Sequence, residues 1–491
     1  MSPEIAGGER PRVEPGSFRD ADSTVLYTRD GVFRALSAQG LEDFEALAAS
    51  RLFEDFTGDG RLVGTERVEA AHGDVPALRN EDVAALLRHE RIPFVSYPYE
   101  WPFGMLRDAA LLQLDLLLAG LDEDLILKDS SPYNVQFRGA QATFVDVGSF
   151  ERLPEGEPWI GYRQFCMLFL YPLMLQAYKG LAPHAWLRGA IDGITPGQMS
   201  AVTSARDVLR RGVLTHVRLH ARLERHHGER PREVKRELRQ AGFNKELIRA
   251  NVSKLRKLVG RLAWSPPSGV WTDYGDRAHY TDRDTEEKDN LVREVAGSRK
   301  WDLVWDLGAN DGRHSRLAAD AGAGYIVAMD GDQGAIEHLY RSLRDEGDRR
   351  ILPLTVNLTD PSPAVGWRGV ERKAALDRGR PDLVLCLALV HHVSIAGNVP
   401  IREVVAWLRS LGAALVIEFP TREDPKVEQL LAAKRPGTHL DYDREFFERC
   451  LGEAFEVERS ERLSSGTRVL YSARPRGASS AAGDGHTALG R

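Results

Sequence analysis

Beyond residue 300 the chain alternates short apolar runs with amphipathic stretches. The apolar runs are Leu303–Leu307, Tyr325–Met329, Ile351–Val356, Leu383–Leu389 and Ala413–Phe419. Between them, His314–Ala321, Ala335–Asp345 and Arg402–Leu411 carry apolar residues at helical spacing. Short apolar strands separated by helices predict a parallel sheet covered on both faces. The rhythm changes at the end. A helix over Arg444–Ala454 is followed by two strands, Phe455–Arg462 and Arg468–Ala473, across Ser464-Ser465-Gly466. This spacing predicts a hairpin that closes one edge of the sheet.

The first half has a different pattern. Short strands and helices mix between residues 20 and 100, with a helix expected over Leu41–Leu52. Helices are expected over Met105–Leu118 and Tyr162–Tyr178, enclosing a strand-rich segment, Leu125–Phe150. The most apolar stretch, Phe165–Ala177, contains Pro172 and is shorter than the roughly 20 residues a membrane span needs, so it reads as a buried core helix. From Ala205 to Arg261 the chain is helical in pattern and basic, with 17 Lys/Arg against 6 Asp/Glu. WSPPSG, Trp264–Gly269, reads as a linker. Both termini are rich in Gly, Pro, Ser or charge and are expected to be disordered. The division expected is therefore a disordered 1–20, an α+β domain over 21–204, a basic helical segment over 205–263, an α/β domain over 264–475, and a disordered tail over 476–491.

Composition adds mainly exclusions. Hydrophobic residues make up 42% and charged residues 28%, as in an ordinary globular chain, and the net charge of −6 names no partner. The three cysteines, Cys166, Cys386 and Cys450, form no CxxC pair, so neither a disulfide framework nor a metal site is expected. With a polar N-terminus that lacks an apolar core, a cytoplasmic location is expected.

The sharpest chemical signal is Val304-Trp305-Asp306-Leu307-Gly308-Ala309-Asn310-Asp311-Gly312. An apolar strand runs into a glycine turn and a helix follows. Such a turn lets a ligand approach the backbone at the carboxyl end of the sheet. The spacing is GxNxG, not the GxGxxG of dinucleotide binders, and Asp306 is a poor neighbour for a pyrophosphate. A second acid, Asp330, ends the next strand at a distance suited to a ribose-binding carboxylate. DLGANDG followed by VAMD resembles the first two motifs of class I S-adenosylmethionine-dependent methyltransferases, over residues 270–475. The resemblance implies a Rossmann-like seven-stranded fold and S-adenosyl-L-methionine as cofactor. It places Asp306 and the turn Gly308, Ala309, Asn310 and Gly312 around the methionine moiety, Asp330 on the ribose, and Asn357 and Leu358 near the adenine.

The acceptor side is less specific. The fourth strand runs through Leu389 into His391-His392; the amide- and adenine-methylating branches of the family it resembles carry an Asn/Asp-Pro-Pro-Tyr/Phe motif there, and its absence argues against those acceptors. An imidazole with an ordinary pKa of ~6.5 can serve as general base near neutral pH. The pair can equally cap the strand. Upstream, Trp271-Thr272-Asp273-Tyr274-Gly275 and His279-Tyr280 offer Tyr274 and Tyr280 either to cover a cofactor or to pack.

In the first half, Asp129 is followed by Asn134, and Asp146-Val147-Gly148 comes after an apolar strand. The pattern D-x-x-x-x-N, then D-x-G, resembles the catalytic and metal-binding loops of kinase-like phosphotransferases, with Phe94–Phe103 as a hinge. A glycine-rich phosphate loop is missing. Arg34 is the nearest cation to a strand lysine, with Glu42 or Glu45 as partners. The alternatives are turn-capping roles for Asp129 and Asp146, or a substrate-presenting domain that keeps the cleft without the chemistry.

The function expected is methyl transfer to a small molecule or natural product. The alternatives are an RNA or protein methyltransferase recruited through the basic segment, and a bifunctional phosphotransferase–methyltransferase. Nucleic acid is the less favoured partner, because the basic segment lacks interleaved aromatics.

Overall fold

The structure, a computed structural model, describes residues 11–28, 31–68, 83–227, 244–266 and 281–477. By its internal contacts the chain divides into two units. The first comprises Met1–Pro266 with Arg344–Arg349 and Ser362–Ala374. The second comprises Pro267–Leu343, Arg350–Pro361 and Ala375–Arg491.

The first unit begins with a five-stranded antiparallel sheet of β1 (Arg12–Val13), β2 (Ser23–Thr28), β3 (Gly31–Leu36), β4 (Thr65–Val68) and β5 (Ala85–His89). Their order is β1-β2-β3-β5-β4. Residues 11–20, expected to be disordered, are structured. Arg12 and Val13 pair with β2, Ser17 Oγ accepts the Val25 N–H, and Arg19 forms an ion pair with Glu371 at 2.7 Å. The helix expected over Leu41–Leu52 is two helices, α1 (Ala38–Ala48) and α2 (Arg51–Gly58). Ser50 makes the break: its backbone is extended and its hydroxyl caps α2 by accepting the Phe53 N–H. α3 (Phe103–Asp122) is buried nearly all round, as its apolar content requires.

After α3 come two small antiparallel pairs. β6 (Leu125–Leu127) joins β9 (Phe150–Arg152), and β7 (Val135–Arg138) joins β8 (Gln141–Phe144). The apolar stretch after Tyr162 is helical to Lys179, with π-helical turns at Cys166–Leu170. Pro172 lacks the N–H that a regular α-helix would need there, which accounts for the wider turns. Gly180, in the left-handed conformation, ends the run. α4 (Lys245–Arg261) packs along α3, and its buried residues are Ile248, Val252, Leu255, Leu258 and Val259.

The second unit opens with α5 (Asp282–Gly297). It continues with β10 (Leu303–Leu307), α6 (Arg313–Asp320), β11 (Tyr325–Asp330), α7 (Gln333–Glu346), β12 (Ile351–Thr355), β13 (Leu383–Cys386), α8 (Ile401–Ser410) and β14 (Ala414–Pro420). α9 (Arg444–Ala454), β15 (Phe455–Arg462) and β16 (Arg468–Pro475) complete it. The sheet order is β12-β11-β10-β13-β14-β16-β15. β10 to β14 run parallel, and β16 runs antiparallel to both β14 and β15.

The fourth strand is shorter than the Leu383–Leu389 expected. Pairing ends at Cys386, and Ala388 turns into the left-handed region at φ +52°. The apolar sequence continues, but the Ala388 N–H leaves the ladder for the carboxylate of Glu418. His391 and His392 therefore begin a helical turn, not a strand end.

Leu385 lies at the centre of this sheet, between Asp306 of β10 and Val416 of β14, with 0% of its surface exposed. Leu385→Ala is expected to cost about 2–5 kcal/mol, read by denaturant unfolding.

Candidate active site

The carboxyl ends of β10, β11 and β13 form one wall of a cavity of about 570 Å³ that lies wholly within the second unit. This volume is in the range of small-molecule sites. Gly308 and Gly312 both have φ +78°, and a Cβ on Gly312 would stand 2.5 Å from Leu339 Cδ1. Asn310 is also left-handed, at φ +49°. Three such residues in five make a turn that few other sequences tolerate.

Asp330 fixes this turn. Its Oδ2 accepts the Asn310 N–H at 2.9 Å and its Oδ1 accepts the Asp332 N–H at 2.8 Å. The carboxylate lines the cavity, and burial pushes its pKa up, against the pull of those N–H bonds. Each oxygen still has a lone pair for a hydroxyl donor.

The residues named from the sequence separate into two groups. Gly308, Ala309, Asn310, Asp330, Asn357, Leu358, Leu389 and His392 all line the cavity. Asp306, Gly312 and His391 do not. Asp306 lies behind the turn, where Oδ2 accepts the Ser315 hydroxyl at 2.6 Å, and burial pushes its pKa up to about 6. Gly312 packs on Leu339. His391 is buried with 1% exposure, and its ring nitrogens have no hydrogen-bond partner among the described residues. Tyr274 and Tyr280 lie outside the described residues. Asn357 turns its Oδ1 to the N–H and hydroxyl of Thr359.

Sequence reasoning missed the opposite wall. Lys288 of α5 and Arg468 of β16 line the cavity and flank Glu418, which is fully buried. Lys288 Nζ lies 2.8 Å from Glu418 Oε2, and Arg468 Nη1 lies 3.0 Å from Oε1. Arg468 also forks onto Asp424, at 2.6 and 3.2 Å. Burial pushes Glu418 up, but the two cations outweigh it and hold the carboxyl well below its usual range. A glutamate inside the apolar run ALVIEFP was the one signal available, since a charge at such a position needs a partner. Nothing local to Lys288, in EEKDN, or to Arg468 marks them as those partners.

His392 is the one histidine of the pair in the cavity wall. Burial, and then the charges of Lys426 and Arg468, lower its pKa to about 4. It is therefore neutral at pH 7, able to accept a hydrogen bond but a weaker base than a free imidazole.

In the first unit the structure brings Asp129, Asn134 and Asp146 together. Asn134 Nδ2 donates to Asp129 Oδ2 at 3.0 Å and to Ser149 Oγ at 3.1 Å, and Ser149 Oγ donates to Asp146 Oδ2. Arg34 does not pair with Glu42 or Glu45. It pairs with Asp146 at 2.8 Å, while Glu45 pairs with Arg67. The cause is topological: Arg34 faces inward on the central strand, whereas Glu45 projects outward from α1. Burial and the charge of Asp146 raise the pKa of Asp129.

The strand order, the antiparallel last strand and the glycine turn after the first strand define the second unit as a class I methyltransferase fold. No family model matches the chain. The whole chain belongs to the family of the nodulation protein NoeA of Rhizobium meliloti (strain 1021), to which it is 31% identical over 469 residues, 95% of this chain and 97% of that one. Among solved structures, it is similar to the N-methyltransferase NodS from Bradyrhizobium japonicum WM9 in complex with S-adenosyl-L-homocysteine, at 12% identity and TM-score 0.30 over 42% of this chain and 98% of that one. It is also similar to the bifunctional kinase-methyltransferase WbdD, at 20% identity and TM-score 0.29 over 45% of this chain and 46% of that one. The strand order, not these low-scoring likenesses, defines the fold.

The neutral state of His392 sets a pH dependence. Its folded pKa lies below the ~6.5 of a free imidazole, so the folded state binds fewer protons between the two values. The stability of wild type relative to His392→Gln is therefore constant above pH ~7 and falls as the pH drops from ~6.5 toward 4, by about 3 kcal/mol at most. Paired thermal denaturation across this range reads the difference; a pH-independent difference contradicts it.

Proposed function

We propose that the second unit is an S-adenosylmethionine-dependent methyltransferase acting on a small-molecule acceptor. The observation that carries this reading is the placement of Asp330. Its carboxylate both fixes the glycine turn and lines the cavity beside it. A ribose with two hydroxyl donors fits such an acceptor, and a left-handed glycine turn leaves room for the adjoining amino-acid portion. Val356 and Leu358 line the same cavity and offer apolar faces against which an adenine would pack.

The bound cofactor supplies a methyl group on a cationic sulfonium, whose charge disappears on transfer. The chain's share is to position and exclude water. Leu387, Ala388, Leu389 and Val393 give an apolar surface beside the turn, which favours loss of charge. Glu418, by accepting the Ala388 N–H at 2.9 Å, holds that surface in place. His392 presents a neutral ring at the same end and can accept the acceptor's proton. The charges of Lys288, Arg468, Glu418 and Asp424 cancel, so the wall adds no net charge to repel a cationic cofactor.

The nucleic-acid alternative is less well supported. Within the basic segment, Lys245, Arg249 and Arg256 pair with Asp124, Asp122 and Asp115 of the same unit, which removes them from any phosphate-binding face.

For the first unit, the sheet order and the meeting of Asp129, Asn134 and Asp146 support a kinase-like fold. The fit to magnesium is poor, because the Arg34 guanidinium, 2.8 Å from Asp146 Oδ1, already balances that carboxylate and would repel a second cation. A substrate-presenting domain accounts for this better than phosphotransfer.

Two titrations test these readings. Calorimetry with S-adenosyl-L-methionine is expected to show binding that Asp330→Ala weakens by about 1.5–3 kcal/mol, ten- to a hundredfold; equal affinity in the variant contradicts the assignment. Titration with ATP and magnesium is expected to give no saturable heat in wild type. Magnesium-dependent binding that Asp146→Ala abolishes would restore the bifunctional reading.

A further inference from the structure

The first unit holds a second cavity, of about 740 Å³, that the methyltransferase reading does not use. One wall is α4, whose Ile248, Val252, Leu255 and Leu258 line it with aliphatic carbon. Trp159 and Tyr162 close the other side, and the Tyr162 hydroxyl is engaged with His216 Nδ1 at 2.7 Å.

The charges around this cavity are of one sign. Arg211, Lys254, Lys257 and Arg261 line it, and among the described residues no aspartate or glutamate does. All four are exposed, and none pairs with a carboxylate among the described residues. The contrast on α4 is informative. Lys245, Arg249 and Arg256, on the face toward α3, are neutralised by Asp124, Asp122 and Asp115. Lys254, Lys257 and Arg261, on the cavity side at spacings of three and four, are not. A helix that neutralises one face and leaves like charges clustered over an aliphatic hollow carries a repulsive arrangement that an anion would relieve. Sequence alone read this segment as a basic run; the fold sorts it into a paired face and an unpaired one.

We infer that this cavity binds a single-chain amphiphile, with an aliphatic body against Val252, Leu255 and Leu258 and an anionic head among Arg211, Lys254, Lys257 and Arg261. Area and charge act together here: the chain is removed from water and the head is held by several cations at the mouth. The site is independent of the cavity in the second unit.

The test titrates the full-length protein with dodecyl phosphate below its micelle concentration, with dodecanoate, dodecyl maltoside and inorganic phosphate as parallel arms. Saturable one-to-one binding of the two anionic amphiphiles is expected. Dodecyl maltoside and inorganic phosphate are each expected to bind at least tenfold more weakly, because each lacks one half of the recognition. Stronger binding of the phosphate than of the dodecanoate, or the reverse, identifies the head group. The double variant Lys254→Glu/Lys257→Glu alters only exposed side chains and is expected to weaken dodecyl phosphate at least tenfold with an unchanged Tm. The inference is overturned if wild type gives no saturable binding, or if the maltoside or the double variant binds as tightly. It is also overturned if the protein binds anionic phospholipid vesicles and dodecyl phosphate does not compete, since the cations would then serve a membrane surface.

Discussion

Glu418 is a buried carboxylate on which four distant parts of the second unit converge. It reaches Lys288 on the first helix, Arg468 on the last strand and the Ala388 N–H after the fourth strand, from its own place on the fifth. A lone charge at this depth would be strongly destabilising, and the two cations with Asp424 make it tolerable. The constraint is also geometric. The Ala388 N–H leaves the sheet to meet Glu418, the strand ends, and the chain turns so that Leu389 and His392 face the cavity. The Leu387–His392 part of the cavity wall therefore depends on a charge network, whereas the turn itself depends on Asp330 and backbone conformation. Such a network fixes one arrangement of elements more than it adds stability, since apolar residues of similar volume could pack equally well.

Much of this was legible in the sequence, for identifiable reasons. The parallel strands of the second unit are short and mostly apolar on both faces, and their helices are amphipathic, so both periodicities were readable. The turn was readable because its glycines and Asp330 are close in sequence. Ala388 was not, because an alanine gives no local sign of a left-handed conformation. Lys288 and Arg468 were not, because their partner lies 130 residues from one and 50 from the other. Asp306 was placed in the site by resemblance, but its side chain is held by Ser315 on the far side of the turn. In the first half, the split between α1 and α2 rests on one serine, Ser50, which serves as a cap where a helix interior was expected.

The two units use charge differently. In the second, buried cations and carboxylates balance beside the cavity. In the first, Asp146 is paired with Arg34 on the central strand of the antiparallel sheet. The match to NoeA, at 31% identity over 95% of this chain, spans the sequence of both units.

On the function proposed above, the cavity lined by the glycine turn, Lys288 and Arg468 receives S-adenosylmethionine. A crystal structure with S-adenosyl-L-homocysteine decides this. The ribose hydroxyls are expected on the Asp330 carboxylate, the adenine beside Leu358, and the thioether facing Leu389 and His392. A ligand bound elsewhere, or bound here without contact to Asp330, would contradict it.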